Sequence, residues 1–192
     1  MKNDQIYLFI VVIGGKTAKS NIELHDVRWV IGRYIEDTFD QIREGWFGDI
    51  KGLHLDSYKK ITEIDGHRVN IKKGKETTYQ KKDNITLESS RYKKLWFVNL
   101  GGYDSNSMSE NHEFGLFVAN TADEAKAKAK KNLLTNSLKK HTDDISKLSA
   151  FKDIDDFESI SQIGDWEIEL VNDAKLSYEK LTPDWFGYLR ID

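Results

Sequence analysis

The chain has 192 residues and a formal net charge of −3, and its composition is 39% hydrophobic and 11% aromatic. This length fits one domain or two small ones, and the apolar content is too high for a disordered tail. The small net charge gives no reason to expect a nucleic acid partner, and the lack of cysteine excludes disulfides, thiolate metal sites and a cysteine nucleophile.

The first predicted element is a strand at residues 6–13, an unbroken apolar run typical of a strand covered on both faces. The run is too short to cross a membrane, which takes about 20 apolar residues. Gly15-Lys16-Thr17 follows and resembles the end of a phosphate-binding loop, but the first glycine of that motif would fall on Ile10 within the strand. We therefore expect neither a nucleotide site nor a membrane segment here, and we expect the protein to be cytoplasmic.

Three further elements complete the first half of the chain. Residues 26–32 are rich in β-branched and aromatic side chains and predict a second strand. Apolar residues then recur at helical spacing over residues 35–46, which predicts a helix. The last element is a hairpin, in which residues 61–64 and 69–71 flank the turn signal Asp65-Gly66.

The second half repeats the first. LFIVVIGGK at 8–16 aligns without gaps with LWFVNLGGY at 95–103, and LDSYKKITEIDGHRVNI at 55–71 aligns with IDDFESISQIGDWEIEL at 154–170. Blocks of like sequence in the same order indicate a tandem duplication. Both copies keep the glycine pair but not the Lys-Thr, so we expect the glycines to serve a turn or a close backbone approach.

The duplication predicts the fold class and the organisation of the chain. We predict an α+β fold of two strand-strand-helix-strand-strand units, with mainly antiparallel sheets in a pseudo-twofold arrangement. The predicted segments are the first repeat unit at 1–73, a basic polar linker at 74–93, the second repeat unit at 94–171 with a polar insertion near 134–150, and an aromatic C-terminal tail at 172–192.

The tail contains Trp185, Phe186 and Tyr188, which are too apolar to extend into water. We expect the tail to dock on the core of its own chain, and a homodimer through these three residues is the alternative. The basic linker is typical of a solvated surface, so nucleic acid binding is not expected.

A Glu-x-His pattern lies near the glycine pair in both copies. In an extended strand the glutamate and the histidine project from one face and the next residue from the other. The candidate ligand-binding residues are Gly14, Gly15, Glu23, His25 and Asp26 in the first copy and Gly101, Gly102, Glu110, His112 and Glu113 in the second. A structural role, in which each histidine is hydrogen-bonded at the margin of the core, is the alternative to a ligand or acid–base site.

We expect no cofactor and no metal ion, with one arrangement as the exception. If a pseudo-twofold axis brought the two copies together, they would offer a two-histidine, two-carboxylate set suited to zinc, manganese or iron. That set is Glu23, His25, Glu110 and His112.

The remaining histidines are interpreted as incidental, since they have no matching histidine in the alignment of the two copies. They are His54, His67 and His141.

The order of apolar strand, Gly-Gly, Glu-x-His-Asp-Val, helix and hairpin resembles a small bacterial family known as domain of unknown function 1543. The matching residues are Gly14, Gly15, Glu23, His25, Asp26 and Val27 in the first copy and Gly101, Gly102, Glu110 and His112 in the second. Glu113 and Phe114 depart from the pattern. The resemblance implies a bacterial origin and a two-copy arrangement, and it brings no activity.

Three functions remain open at this point. The leading hypothesis is a small-ligand or protein binding module with a Gly-Gly/Glu-x-His pocket in each copy. A hydrolase-like or metal-dependent enzyme would instead use His25 as acid or base, oriented by Glu23. The third hypothesis is a structural protein that forms homodimers.

Overall fold

The computed structural model describes residues 5–74, 93–103, 105–135, 139–141, 157–173, 175 and 180–192. Most of the basic linker and most of the insertion near 134–150 lie outside these residues. The first half contains β1 (Tyr7–Gly15), β2 (Leu24–Gly32), a 3₁₀ turn (Ile35–Thr38), α1 (Phe39–Gly45), β3 (His54–Ile61), β4 (Glu63–Ile64) and β5 (His67–Lys73). The second half contains β6 (Lys94–Tyr103), β7 (Asn111–Ala119), α2 (Ala122–Asn132), β8 (Lys139–His141), β9 (Phe157–Ile160), β10 (Gln162–Ile163), β11 (Trp166–Asn172) and β12 (Trp185–Arg190).

The strands form three antiparallel sheets, which makes the fold α+β. Sheet A has the order β12-β3-β1-β2, sheet B has the order β10-β11-β5-β4, and sheet C has the order β7-β6-β8 with β9 also paired to β6. Sheet A thus belongs to the first half and the tail, and sheet C to the second half. Sheet B joins the halves through the pairing of β5 with β11.

Sheets A and C have matching registers. Leu8 pairs with Ile61 in sheet A, and Leu95 pairs with Ile160 in sheet C. The Gly14–His25 pair between β1 and β2 likewise corresponds to the Gly101–His112 pair between β6 and β7. Residues aligned from sequence alone therefore occupy matching places in the two sheets.

The central strand of sheet A is buried on both faces, as its apolar sequence predicts. On one face, Leu8 and Ile10 enter a hydrophobic cluster that also contains Leu95 and Phe97 of sheet C. On the other face, side chains such as Val11 pack against α1. Sheets A and C thus enclose a shared core, which fixes the positions of their polar ends relative to each other.

The two helices cover the outer faces of sheets A and C. Ile42 of α1 packs with the residues of β1, while Ala125 and Ala129 of α2 pack with those of β6. Helix α2 follows Thr121-x-x-Glu124, a sequence pattern that predicts a helix start, and the Thr121 side chain accepts a hydrogen bond from the backbone N–H of Glu124. Neither helix is long and apolar enough to span a membrane within the part of the chain that the structure describes.

The third segment of the first half differs from the predicted single strand at residues 61–64. Ile61 ends the eight-residue strand β3 in sheet A, and β4 begins at Glu63 in sheet B. The strand β3 escapes a search for alternation because its sequence, HLDSYKKI, is mostly polar. Two of its polar side chains, those of His54 and Asp56, are placed at the site described below. The predicted turn at Asp65-Gly66 does connect β4 to β5.

The C-terminal tail docks on its own chain, as expected. Strand β12 pairs with β3, and the Trp185 ring stacks on the Tyr58 ring with centroids 6.1 Å apart. Ile191 is 3% exposed and belongs to the cluster beneath α1. Phe186 remains 78% exposed on this edge strand. The homodimer stays a prediction.

Candidate metal centre

Gly14 occupies the centre of a row of three residues across sheet A. His25 of β2 pairs with it on one side and His54 of β3 pairs with it on the other. Directly paired residues project from the same face of a sheet. The two histidines therefore flank a position that has no side chain.

The gap above Gly14 is filled by polar groups of its neighbours. A Cβ atom at Gly14 would lie 2.5 Å from Glu23 Oε1 and 2.6 Å from His54 Nε2. Gly14 does not have a positive φ angle, so the demand for glycine here comes from close approach and not from backbone conformation. Of the two roles considered for the glycine pair, the structure supports the close approach.

Glu23 immediately precedes β2 and reaches both histidines. Its Oε1 lies 2.6 Å from His54 Nε2 and 3.7 Å from His25 Nε2. The Glu23 side chain is 39% exposed and the His25 side chain 55%, whereas His54 is 4% exposed. The group thus has a buried end at His54 and an open end at His25.

Asp56 also lies beside this group, and a β-bulge in β3 positions it there. Ile13 pairs with Leu55 and Val12 with Ser57, so Asp56 is an extra residue in β3. Its Oδ1 lies 3.3 Å from His54 Nε2 and its Oδ2 lies 3.3 Å from His25 Nε2. The Oδ2 atom is buried and accepts no hydrogen bond from the described residues.

The imidazole of His54 is fixed from two directions. Its Nδ1 lies 2.9 Å from the carbonyl oxygen of Gly52, to which an Nδ1–H donates, and this directs Nε2 at the carboxylates. The Nε2 contact with Glu23 is a hydrogen bond when Nε2 carries a proton, and a bound ion would take the place of that proton. The Tyr188 ring of β12 covers the imidazole at a centroid distance of 4.2 Å. A backbone carbonyl bonded to the remote ring nitrogen is a common support for a metal-binding histidine.

The spacing of the donor atoms fits a metal ion. Nitrogen and oxygen donors that bind one ion at about 2.1 Å in tetrahedral geometry lie about 3.4 Å apart. Three of the four histidine–carboxylate distances in the group are 3.3, 3.3 and 3.7 Å. The fourth, between His54 and Glu23, is 2.6 Å and is the length of a charge-assisted hydrogen bond. A bound ion would have to separate this pair by roughly 0.8 Å relative to the tetrahedral spacing.

The other candidate residues of the first copy lie outside this group. Asp26 forms an ion pair with Arg28 at 2.7 Å. Gly15 lies against the indole of Trp46, which a Cβ atom at Gly15 would approach to 2.9 Å. Both residues have structural partners within the chain, and Asp26 also lines the open cleft that His25 borders.

In the second copy the candidate residues form a smaller group. His112 Nε2 lies 3.5 Å from Glu110 Oε2, and a Cβ atom at Gly101 would collide with Glu110 Oε1. Gly102 is buried and pairs with Asn111.

Glu113 points away to other partners. Its Oε2 accepts a hydrogen bond from the backbone N–H of Leu134, and its Oε1 pairs with Lys180. Glu113, which departs from the family pattern, is therefore not part of the Glu110–His112 pair.

The two copies do not combine their histidines and glutamates into one set. Among the described residues, Glu23 and His25 come within ligand distance of His54 and not of Glu110 or His112. His25 and His112 instead line a common open cleft of about 920 Å³ between sheets A and C. The aromatic side chains Trp29, Phe97 and Phe114 also line this cleft.

Comparisons with known proteins agree with the two-copy arrangement. The sequence pattern described as Domain of Unknown Function (DUF1543) matches residues 20–71 and 107–156, which together exceed half of the chain. The chain belongs to the DUF1543 family. No curated protein matches it. A solved structure, "Crystal structure of a protein Il1583 from Idiomarina loihiensis", is similar to this DUF1543 chain over 97% of its length and 98% of the other chain, with 28% identity and a TM-score of 0.65.

Two residues of the site in this DUF1543 protein were missed from sequence. The alignment gives His54 no matching histidine, so it is interpreted as incidental. Asp56 matches Asp155 in the alignment but is not among the candidate site residues. A usable signal was present, since His54-Leu55-Asp56 places a histidine and a carboxylate two residues apart, as Glu23-Leu24-His25 does in reverse order. Nothing local indicates that the two triplets meet.

Proposed function

We propose that the first copy binds a divalent transition-metal ion through Glu23, His25, His54 and Asp56. The observation that carries the proposal is the convergence of Glu23, His25 and His54, whose ligand atoms all lie within 4.8 Å of one another. Asp56 adjoins this group, with Oδ1 3.3 Å from His54 Nε2 and Oδ2 3.3 Å from His25 Nε2. Two imidazoles and two carboxylates suit zinc, manganese or iron.

The electrostatics of the group favour a cation. Two carboxylates come close to the same pair of histidine nitrogens, and the buried Oδ2 of Asp56 lacks a hydrogen-bond donor among the described residues. His25 Nε2 lies 3.3 Å from this oxygen but does not form a hydrogen bond with it, and a buried polar atom without a hydrogen bond is costly. A divalent ion would satisfy that atom and would reduce the repulsion between Glu23 and Asp56.

The position of the site favours binding of a further ligand over a purely structural ion. Structural metal sites are closed by protein donors, whereas sites that act on ligands keep a position open to solvent. The His25 side chain is 55% exposed and borders the 920 Å³ cleft. The small-ligand binding module inferred from sequence would therefore place its ligand in this cleft, beside the ion.

A metal-dependent hydrolase is the second candidate, and the same open side supports it. An ion at this site would lower the pKa of a bound water and supply a nucleophile to a substrate in the cleft. This differs from the acid–base hypothesis, in which His25 itself transfers the proton. Loss of hydrolysis on metal removal would favour the former, and hydrolysis that persists without metal would favour the latter.

The proposal is tested by metal titration of the purified full chain after chelation and desalting. Calorimetry with Zn²⁺ or Mn²⁺ should detect a site whose affinity falls at least about tenfold in His54→Ala. The matched control is His67→Ala, because His67 is also buried, at 5% exposure, but lies at the β4–β5 turn away from the site. Equal metal affinities in the unsubstituted chain and in His54→Ala would refute the proposal.

We further propose that the two units are related by a pseudo-twofold axis through sheet B. Val69 pairs with Leu170 and Ile71 with Ile168, while the alignment equates Val69 with Ile168 and Ile71 with Leu170. Such exchanged pairing is expected about a twofold axis between Asn70 and Glu169. The axis would explain why both copies turn their Glu-x-His segments toward one cleft.

A further inference from the structure

The strand that carries His54 has a divided counterpart in the second copy. In sheet A the continuous strand β3 pairs with β1 from Leu8 to Gly14. In sheet C, β9 pairs with β6 at Leu95–Val98 and β8 pairs with β6 at Gly101–Tyr103. The last residue of β8, His141, therefore occupies the place of the first residue of β3, His54, and the insertion of the second copy separates β8 from β9.

This register places a second histidine beside Gly101. His141 of β8 pairs with Gly101, as His54 pairs with Gly14. His112 pairs with Gly101 from the other side, as His25 pairs with Gly14. The row of histidine, glycine and histidine is therefore present in both sheets.

The sequence around His141 agrees with this assignment. His141-Thr142-Asp143 repeats the His-x-Asp order of His54-Leu55-Asp56. The alignment of residues 55–71 with 154–170 places Asp155 opposite Asp56, because it sets the whole insertion of the second copy before residue 154. The pairing of β8 shows that the insertion begins after His141, inside the region equivalent to β3. His141, interpreted as incidental from the alignment, therefore lies at the position equivalent to His54.

A carboxylate also covers the glycine in the second copy. Glu110 occupies the space that a Cβ atom at Gly101 would need, as Glu23 does at Gly14. The Glu110–His112 distance of 3.5 Å is close to the Glu23–His25 distance of 3.7 Å. The glutamate, the glycine and the first histidine therefore have a similar arrangement in both copies.

We infer that the second copy binds a second divalent metal ion beside Gly101, where the strand register brings the positions of Glu110, His112 and His141 together. This inference rests on the metal binding proposed for the first copy. Asn99 stands where the first copy has Val12, and its amide lies 3.1 Å from His112 Nδ1. With the amide oxygen turned to Nδ1–H, which a half-turn of the amide achieves, the Nε2 lone pair of His112 faces the site.

The inference predicts two ions per chain and is tested by counting them. The full chain is loaded with Zn²⁺, desalted and analysed for zinc per protein by elemental analysis. The expected values are two for the unsubstituted chain and for His67→Ala, one for His54→Ala, one for His141→Ala, and none for the double variant. Glu110→Gln, a near-isosteric change, should also give one and guards against a folding defect in His141→Ala.

The outcomes separate the two proposals. One ion that is lost in His54→Ala and kept in both His141→Ala and Glu110→Gln would overturn the second site and leave the first intact. No ion in the unsubstituted chain would overturn both. Two ions that persist in His141→Ala and Glu110→Gln would show that the second ion lies elsewhere, and would likewise overturn the inference.

Discussion

His54 Nε2 lies 2.6 Å from Glu23 Oε1, and the contact passes directly over the Cα atom of Gly14. The pair joins β3 to the start of β2 across the intervening strand β1. It can form only because the residue between them lacks a side chain. The glycine, the glutamate and the histidine are therefore one structural unit, and a change in any of them should affect the others.

Gly14→Ala should disrupt this unit. The new methyl group would lie 2.5 Å from Glu23 Oε1 and 2.6 Å from His54 Nε2, so both side chains must move. Overpacking of this kind costs about 1–3 kcal/mol of unfolding free energy, which urea denaturation measures. Metal affinity should fall as well, because two of the four donors are displaced.

Gly45→Ala is the control for that change. Gly45 ends α1, and its new Cβ atom would meet only Arg28 Nη1 at 4.0 Å. Alanine in a helix is favoured over glycine by roughly 0.5–1 kcal/mol, so the control should be neutral or stabilising. A Gly14→Ala protein as stable as the Gly45→Ala protein would contradict the close packing described for Gly14.

The two histidines of the site should differ in their effect on stability but not in their effect on metal binding. His54→Ala removes a buried side chain that contacts Glu23 and the Gly52 carbonyl, and should cost about 1–3 kcal/mol. His25→Ala removes a side chain that is 55% exposed, and should change stability by no more than about 0.5 kcal/mol. Both variants should lose metal affinity in calorimetry. A large stability loss in His25→Ala would indicate the structural role considered from sequence.

Asp56→Asn separates metal binding from folding. The amide keeps the shape of the carboxylate but removes its charge and weakens it as a ligand. Without metal, the melting temperature of Asp56→Asn should be nearly that of the unsubstituted chain. Addition of metal should no longer raise it. Ser57→Ala, at the neighbouring position of β3, provides the comparison. Equal stabilisation by metal in both variants would remove Asp56 from the site.

The tail contributes a pH-dependent contact. Hydrogen bonds from the Arg190 side chain and the backbone N–H of Gly52 lower the pKa of Asp192 from 3.8 to about 2. Because the folded state favours the ionised carboxylate, its stabilising effect is present above pH 3.8 and is lost as the pH falls toward 2. Asp192→Asn should therefore melt below the unsubstituted protein at pH 7.

This difference in melting temperature should shrink between pH 4 and the lowest pH at which the protein remains folded, as the wild-type carboxyl approaches its lowered pKa. Asp40→Asn, at a carboxylate that is 85% exposed on α1, serves as the comparison. A melting-temperature difference for Asp192→Asn that stays constant down to the lowest pH would show that its carboxylate is not held by the contacts described.

The docking of the tail should depend on one buried side chain. Ile191 is 3% exposed within the cluster under α1, so Ile191→Ala should cost about 2–5 kcal/mol in urea denaturation. Phe186→Ala is the matched change on the same segment, and its side chain, 78% exposed, should contribute little. A similar cost for both variants in a monomeric protein would contradict the observed docking.

Light scattering on the same two variants addresses the predicted homodimer. If the tail joins two chains through Trp185, Phe186 and Tyr188, Phe186→Ala should shift the mass toward the monomer. An unsubstituted chain that is monomeric at all concentrations would end that prediction.

Much of the local structure could be predicted from the sequence. The apolar run of β1, the cap at Thr121 and the turn at Asp65-Gly66 each depend on neighbours in the chain, and each occurs as its pattern indicates. The strand β3 could not be predicted in this way. Two of its polar side chains, His54 and Asp56, lie at the site, and its bulge at Asp56 interrupts the alternation on which strand prediction depends.

The sequence by itself determined that the chain contains two related copies and that each keeps a glycine pair with Glu-x-His, because a duplication is a property of residue order. Only the tertiary structure decided which groups Glu23 meets. The antiparallel pairing of β1 with both β2 and β3 brings His25 and His54 to the two sides of Gly14, across about thirty residues of chain. Such partners are chosen by strand register, and register is set by burial of whole strand faces in the core and not by the polar residues themselves.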